Sequence, residues 1–292
     1  MATSLLPLEK PSASECLILN RQQLLLQYID KDAQGIEVGP SHAPVAPKAE
    51  GYHVKIIDHM NREQLIRKYA DHHVDLGKIE EVDFVSHGEP YATLVAGAGP
   101  FHWIIASHVI EHTPDLIAFL QDCQRVLSED GVLSLAIPDK RFCFDHFRAL
   151  SDLAKVIDAH IYGHKIHTAG TVADYYMNVV RLNKQIAWAS TTTDGDFELV
   201  HGLADAQSGI EVVTKHNAYL DVHAWCFTPT SFRLLIRDLN ELGYIAWREL
   251  SFCTTGAHEF FVTLSRKGTL IEGSRTDILK QIEREQKQSM VG

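Results

Sequence analysis

Long hydrophobic runs are missing from this 292-residue chain; the longest, such as Trp103 to Ala106, fall far short of the roughly 20 apolar residues of a membrane span. Basic residues are in the minority, 27 Lys+Arg against 38 Asp+Glu, and the formal net charge is -11. A surface of that sign repels phosphate backbones, and no local basic patch offsets it, so nucleic acid is not an expected partner. Cysteine is scarce. The five present (Cys16, Cys123, Cys143, Cys226, Cys253) are odd in number and lack C-x-x-C spacing. That argues against a zinc knuckle or a disulfide framework and for reduced thiols in a cytoplasmic protein. Met1 to Lys10 has no basic start followed by an apolar stretch, so no secretory signal is expected there.

What remains is ordinary for a folded domain. Hydrophobic residues make up 45% and charged residues 22%, and the length suits one large α/β domain or one carrying an insertion. Histidine is the exception: 17 of them put many near-neutral acid/base groups on one chain.

Five stretches can be told apart. Residues 1–30 read as a loose arm and a leading helix from Cys16 to Tyr28. Residues 31–139 alternate short apolar strands (Gly35–Gly39, Val54–Asp58, Val82–Val85, His102–Ala106, Val132–Ile137) with helices. One helix, Asn61–Tyr69, has Asn61 as its cap. Another, Asp115–Leu127, carries a wide apolar stripe and is followed by a turn at Asp130-Gly131. Such alternation predicts a parallel sheet covered on both faces. Residues 140–227 blur into a polar and aromatic, mostly helical insertion with a loop at Thr191–Asp196. Residues 228–267 return to order with a helix from Pro229 to Leu242 and two strands, Ile245–Cys253 and Glu259–Ser265, that read as a hairpin at the sheet edge. Residues 268–292 form a charged tail, helical in composition.

A parallel sheet binds ligands beyond the carboxyl ends of its strands. The first strand ends in Glu37-Val38-Gly39-Pro40-Ser41 and the second in Asp58, roughly 20 residues on, where a carboxylate can take the two hydroxyls of a ribose. Either carboxylate could instead cap a neighbouring turn. No glycine stands two positions after Gly39, so the dinucleotide fingerprint is absent, and there is no Tyr-x-x-x-Lys pair near the site. Both absences tell against a nicotinamide or nucleotide-sugar enzyme and favour a nucleoside-type ligand without a diphosphate.

Ile36-Glu37-Val38-Gly39, the strand ending at Asp58, the nonamer Ile104-Ile105-Ala106-Ser107-His108-Val109-Ile110-Glu111-His112 and the turn Ser128–Leu133 resemble a class I S-adenosylmethionine-dependent methyltransferase. Glu37–Ser41 with Ala43–Lys48 and Ile137–Phe142 is similar to a bacterial subgroup found with glycan and secondary-metabolite biosynthesis. The resemblance implies a Rossmann-like α/β fold, a mostly parallel seven-stranded sheet with a reversed last strand. It implies S-adenosyl-L-methionine as cofactor, with Glu37 and Gly39 along the methionine half and Asp58 on the ribose. Pro40, Ser41 and His59 join these contacts, Ser86-His87-Gly88 lies beside the adenine, and Ser107 and His108 border the sulfonium. The function so implied is methyl transfer to a small polar or glycan-linked acceptor, at oxygen in preference to nitrogen. A cofactor-binding pseudo-enzyme is kept open by the incomplete glycine motif, and a homodimer is left open as well.

Taking a proton from the acceptor is a task for histidine. His223 is the first candidate, with Asp221 two residues before it to orient the ring if the segment is extended; His108, His112 and His146 are the others. Asp139 and Arg141 follow the fifth strand and are expected at the acceptor pocket, Arg141 as an anion ligand or as a surface ion pair. His146, Tyr175, Tyr176 and Trp225 from the insertion are expected there too, unless these aromatics form the insertion's own core. His160, His164 and His167 fall on one face of a helix if that segment is helical, but no matching further ligand stands out, and no metal site is expected.

Overall fold

The computed structural model describes residues 16, 18–192 and 195–288. The expected N-terminal arm and part of the 191–196 loop lie outside the described residues. Seven strands, β1 (Gly35–Val38), β2 (Val54–Asp58), β3 (Phe84–Val85), β4 (Phe101–Ser107), β5 (Leu127–Pro138), β8 (Arg248–Thr254) and β9 (Glu259–Ser265), form one sheet in the order β3-β2-β1-β4-β5-β9-β8. The first five run parallel; β9 is antiparallel to both β5 and β8. The strand order reverses between β1 and β4, and the crevice at that reversal is where an open α/β sheet takes its ligand.

The sheet forms where the sequence is continuously apolar. Ile36, Val38, Ile57, Ile104, Ala106, Leu133, Leu135 and Ile137 are buried in one core with the helix α4 (Leu116–Val126) and the helix α8 (Pro229–Glu241). Asp115 caps α4, and Pro229 stands in the first turn of α8, where its missing N–H costs nothing. The helix α2 (Arg62–Tyr69) starts at Asn61 with a full capping box, as the sequence predicts. At Gly35 the close approach of two strands forbids any side chain, because a Cβ would lie 1.9 Å from the Trp103 indole.

Four expectations need adjustment. The leading helix shortens to α1 (Arg21–Leu26), capped by Asn20. The fifth strand starts at Leu127, ahead of the expected turn, because a bulge opposite Phe101 and Trp103 absorbs the extra residues before Val132. The loop region leads into a hairpin, β6 (Val180–Leu182) with β7 (Phe197–Leu199), which the polar sequence around it concealed. The five cysteines are not all reduced: Cys16 and Cys253 form a disulfide, Cα–Cα 5.5 Å, across 237 residues, while Cys123, Cys143 and Cys226 are buried and free. No sequence spacing could announce so distant a pair, and with it the argument from cysteine to a reducing compartment falls away.

The insertion between β5 and α8 carries α5 (Leu153–Ile161), α6 (Ala169–Asn178) and α7 (Leu203–Lys215). The tail helix α9 (Arg275–Gln288) docks on α8 through Ile271, Ile278 and Leu234. No helix among the described residues is long and apolar enough to cross a membrane.

Candidate functional site

Two carboxylates mark the ends of β1 and β2. Glu37 accepts from the amides of Val45 (2.6 Å) and Ala46 (3.1 Å), so both its oxygens order the loop after β1. Burial drives its pKa up to about 7, against the pull of those two hydrogen bonds. Of the two roles open to it, the ordering of the neighbouring loop is the one these bonds show. Asp58 accepts from the Ser41 amide (3.1 Å) and the His59 amide (2.7 Å), and His59 Nδ1 lies 2.6 Å from the same carboxylate. Between them Gly39 turns the chain at φ +62°, where a Cβ would reach 3.2 Å from Val109 Cγ2. The glycine thus keeps open the gap between the loops following β1 and β4. Ser86 Oγ accepts from the Gly88 amide in the loop after β3, and the His87 amide donates to Glu89 at 2.6 Å. An acidic strand end, a side-chain-free turn and a small residue at the end of β4 fit a nucleoside-type ligand such as S-adenosylmethionine.

Arg21 enters this crevice from outside the sequence's expectations. Its guanidinium donates to Ser107 Oγ and, at 3.0 Å, to Glu259. α1 is therefore laid over the carboxyl end of β4, fixed nearby by Cys16–Cys253. Nothing in its local sequence marks Arg21, since its partners are 86 and 238 residues away.

The histidines converge beyond β4. His108, at φ 54°, turns the chain into a short 3-10 turn, Ile110–His112, whose Glu111 is wholly buried. Backbone bonds from Ala224 (2.7 Å) and Trp225 (3.3 Å) to the Glu111 carbonyl lay the segment 221–227 alongside, which brings in His223. Glu111 Oε1 then lies 3.4 Å from His108 Nδ1, 3.9 Å from His223 Nε2 and 4.0 Å from His112 Nε2. Burial favours a neutral Glu111, but the three histidines outweigh it and hold the carboxyl below its usual range. His108 also meets Glu259 at 2.9 Å; burial works against its charge, and Glu111 and Glu259 outweigh burial to raise its pKa to about 9. That rise favours the charged ring, held between Glu111 and Glu259.

The expected Asp221–His223 pair is exchanged for two others. His223 Nδ1 meets Asp145 at 2.5 Å, and His112 Nδ1 lies 2.8 Å from Asp221. Arg148 clamps Asp145 at 2.7 Å and Asp174 at 2.9 Å. Burial would raise the Asp145 carboxyl, but His223 and Arg148 bring it down to about 2. Asp221 is likewise held at about 2, mainly by His112, with Lys68 and His59 contributing from across the cofactor side. Asp145 and Glu111 have local partners in Arg148 and His108, but each meets His223 only through the return of the chain at 221–225, which a reading of local patterns cannot show.

The remaining expected site residues divide. Tyr175 stands against His223, ring centroids 6.3 Å apart, and belongs to this cluster's wall. Arg141 is buried and paired with its own neighbour Asp139 at 2.6 Å, away from the histidine cluster, and lines a separate cavity with Phe142, Thr230 and Arg233. His146 bonds the Arg141 carbonyl at 2.7 Å and stacks on Phe197. Tyr176 packs on His201, and Trp225 is buried with its indole on the Thr113 carbonyl at 2.6 Å. Tyr176 packs in the insertion's own core with Val172 and Val213, whereas Trp225 is part of the main core against the sheet. His160, His164 and His167 do not share a helix face, because α5 ends at Ile161; His160 pairs with Asp115 at 3.0 Å, and burial lowers His167 to about 4.

A family model described as a methyltransferase domain matches residues 14–234. No curated protein matches in sequence. Among solved structures the chain is similar to the trans-methyltransferase CalH in complex with SAH, at 14% identity and TM-score 0.41, over 82% of this chain and 53% of that one. It is similar to the DhpI–SAH complex at 12% identity and TM-score 0.39, over 82% and 81%. It is also similar to the mitomycin 7-O-methyltransferase MmcR at 10% identity and TM-score 0.38, over 84% and 52%. The chain spans about half the length of the first of these.

Proposed function

The chain belongs to the methyltransferase-domain family, and on that premise we propose that it transfers a methyl group from S-adenosylmethionine to an oxygen of a small polar or glycan-linked acceptor. One observation carries the acceptor half of this reading: His108, His112 and His223 meet Glu111 beyond the carboxyl end of β4, beside the gap that Gly39 keeps open. S-adenosylmethionine brings a methyl group already activated on sulfur. The chain's tasks are to align the acceptor, exclude water and receive a proton.

Asp58 would hold the ribose hydroxyls, with the Gly39–Ser41 turn along the methionine half and Ser86–Gly88 beside the base. Arg21, reaching Ser107 from α1 while paired with Glu259, would bring a cation to the cofactor's carboxylate. The carboxylates of Glu111, Asp221 and Glu259 give the acceptor side a negative field that favours a sulfonium nearby. The insertion forms the opposite wall through Tyr175 and Tyr219, whose hydroxyl donates to the His112 carbonyl at 3.2 Å. An oxygen acceptor is preferred because a hydroxyl needs a base to give up its proton, and a histidine–carboxylate cluster is built for that.

The test is turnover. The full chain is incubated with S-adenosylmethionine and a panel of sugars, nucleotide sugars, phenols and hydroxy acids, with matched amines alongside. Mass spectrometry should find S-adenosylhomocysteine together with an oxygen-methylated product. Products methylated solely at nitrogen would overturn the oxygen assignment.

A further inference from the structure

We propose that Glu111, His112 and His223 bind a divalent first-row transition-metal ion, zinc in the first instance. The ligands are residues of the cluster given the proton-accepting task above, and an ion on both inward Nε2 atoms would take those nitrogens out of that task; metal uptake is read without turnover, so the two readings are tested separately. Glu111 has no exposed surface, and neither of its carboxylate oxygens has a hydrogen-bond partner among the described residues. The nearest donor, His108 Nδ1 at 3.4 Å, lacks the alignment of a hydrogen bond. Leaving a buried carboxylate so poorly served is expensive. A structure that keeps one has a use for its lone pairs.

The two histidines are oriented to supply that use. His223 bonds Asp145 through its Nδ1 at 2.5 Å, while His112 Nδ1 lies 2.8 Å from Asp221 without hydrogen-bond alignment, and each ring turns its Nε2 inward. A carboxylate behind an imidazole is the arrangement that fixes tautomer and ring orientation in metal sites. The inward atoms lie 3.9 and 4.0 Å from Glu111 Oε1, and all the candidate ligand atoms fall within 4.8 Å of one another. Ligands around one zinc at about 2.0–2.2 Å stand about 3.0–3.5 Å apart, so closure needs side-chain shifts of roughly half an ångström. The His112 and His223 rings already touch edge to face, centroids 4.6 Å apart.

Two imidazoles and one carboxylate favour zinc, iron(II) or manganese over magnesium or calcium, which prefer oxygen throughout. Three protein ligands leave a coordination position open, as in sites that act on a bound molecule and not merely on the fold. The sequence hides the set because Glu111 and His112 are adjacent while His223 comes from the far end of the insertion. Because an imidazole binds a metal only as the neutral ring, uptake should weaken as pH falls.

The experiment is a calorimetric titration of the chelator-stripped full chain with zinc, with manganese as a second probe. Exposed histidines give weak background binding, so the readout is the tight equivalent and its loss on substitution. Wild type should take one tight equivalent and melt at a higher temperature with zinc than without. Glu111→Gln should lose that equivalent, at least a hundredfold in affinity, together with the thermal shift. Asp145→Asn should weaken binding by roughly ten- to a hundredfold although it touches no ion. His112→Ala, at the more accessible edge, replaces His223→Ala if the latter does not fold, and should also lose the equivalent. A wild type without a tight equivalent, or a Glu111→Gln chain that keeps it, would overturn the proposal and leave a histidine–carboxylate network without an ion.

Discussion

Glu37 shows how one buried carboxylate couples the site's loop to pH. Its carboxyl titrates near 4.5 when free and near 7 in the fold, chiefly because burial penalises its charge. Between those values the folded chain holds a proton that the unfolded chain has lost. The resulting contribution to stability is complete below about pH 4.5 and disappears as pH rises through about 7, a change of roughly 3 kcal/mol. Glu37→Gln cannot ionise, so its stability should lack this decline. Denaturant unfolding at pH 5 and pH 8 measures it, and parallel losses in both proteins would refute the assignment. The sequence marked Glu37 as interesting but not its direction, because a strand shows a residue's presence without showing which amides the following loop will bring back. Asp58 was legible in the same way. Its removal in Asp58→Ala should weaken S-adenosylhomocysteine binding by roughly 1.5–3 kcal/mol, about ten- to a hundredfold, in a chain that still folds. Unchanged affinity would sink the ribose role.

At the scale of elements, α1 is the surprise. It is short, six residues, and its position over β4 rests on Leu24 and Leu25 in the core and on the Cys16–Cys253 bond. A crosslink closing so long a loop contributes about 2–4 kcal/mol. Cys253→Ser should therefore lower the melting temperature by roughly 3–7 °C. It should also loosen Arg21 from Ser107 and weaken S-adenosylmethionine binding more than it weakens the sheet. A melting temperature equal in oxidised wild type and variant would show that the bond does not hold this element. Strands β1, β2 and β4 were readable because apolar runs in a parallel sheet need no context, and β9, although antiparallel, because it is buried at every position and reads as such a run. The hairpin β6–β7 and the tail's docking were not: β7 is exposed throughout, and α9 buries only Ile278. With so few apolar positions there is little pattern to read.

For the whole molecule, the order β3-β2-β1-β4-β5-β9-β8 places one reversal at the β1–β4 crevice and one insertion over it. The four expected catalytic residues, His108, His112, Asp221 and His223, do come together, from segments more than a hundred residues apart. Their pairing could not be read beforehand, because Asp145 displaced Asp221 as the partner of His223 only through the path of the insertion. Cofactor binding in that crevice is the claim on which the rest depends. Its most direct measurement is a calorimetric titration of the folded full chain with S-adenosylhomocysteine, with NAD as the competing nucleotide. Saturable one-to-one binding of S-adenosylhomocysteine, weakened in Asp58→Ala and absent for NAD, is the predicted result. A folded chain that binds NAD and leaves S-adenosylhomocysteine unbound would contradict the account.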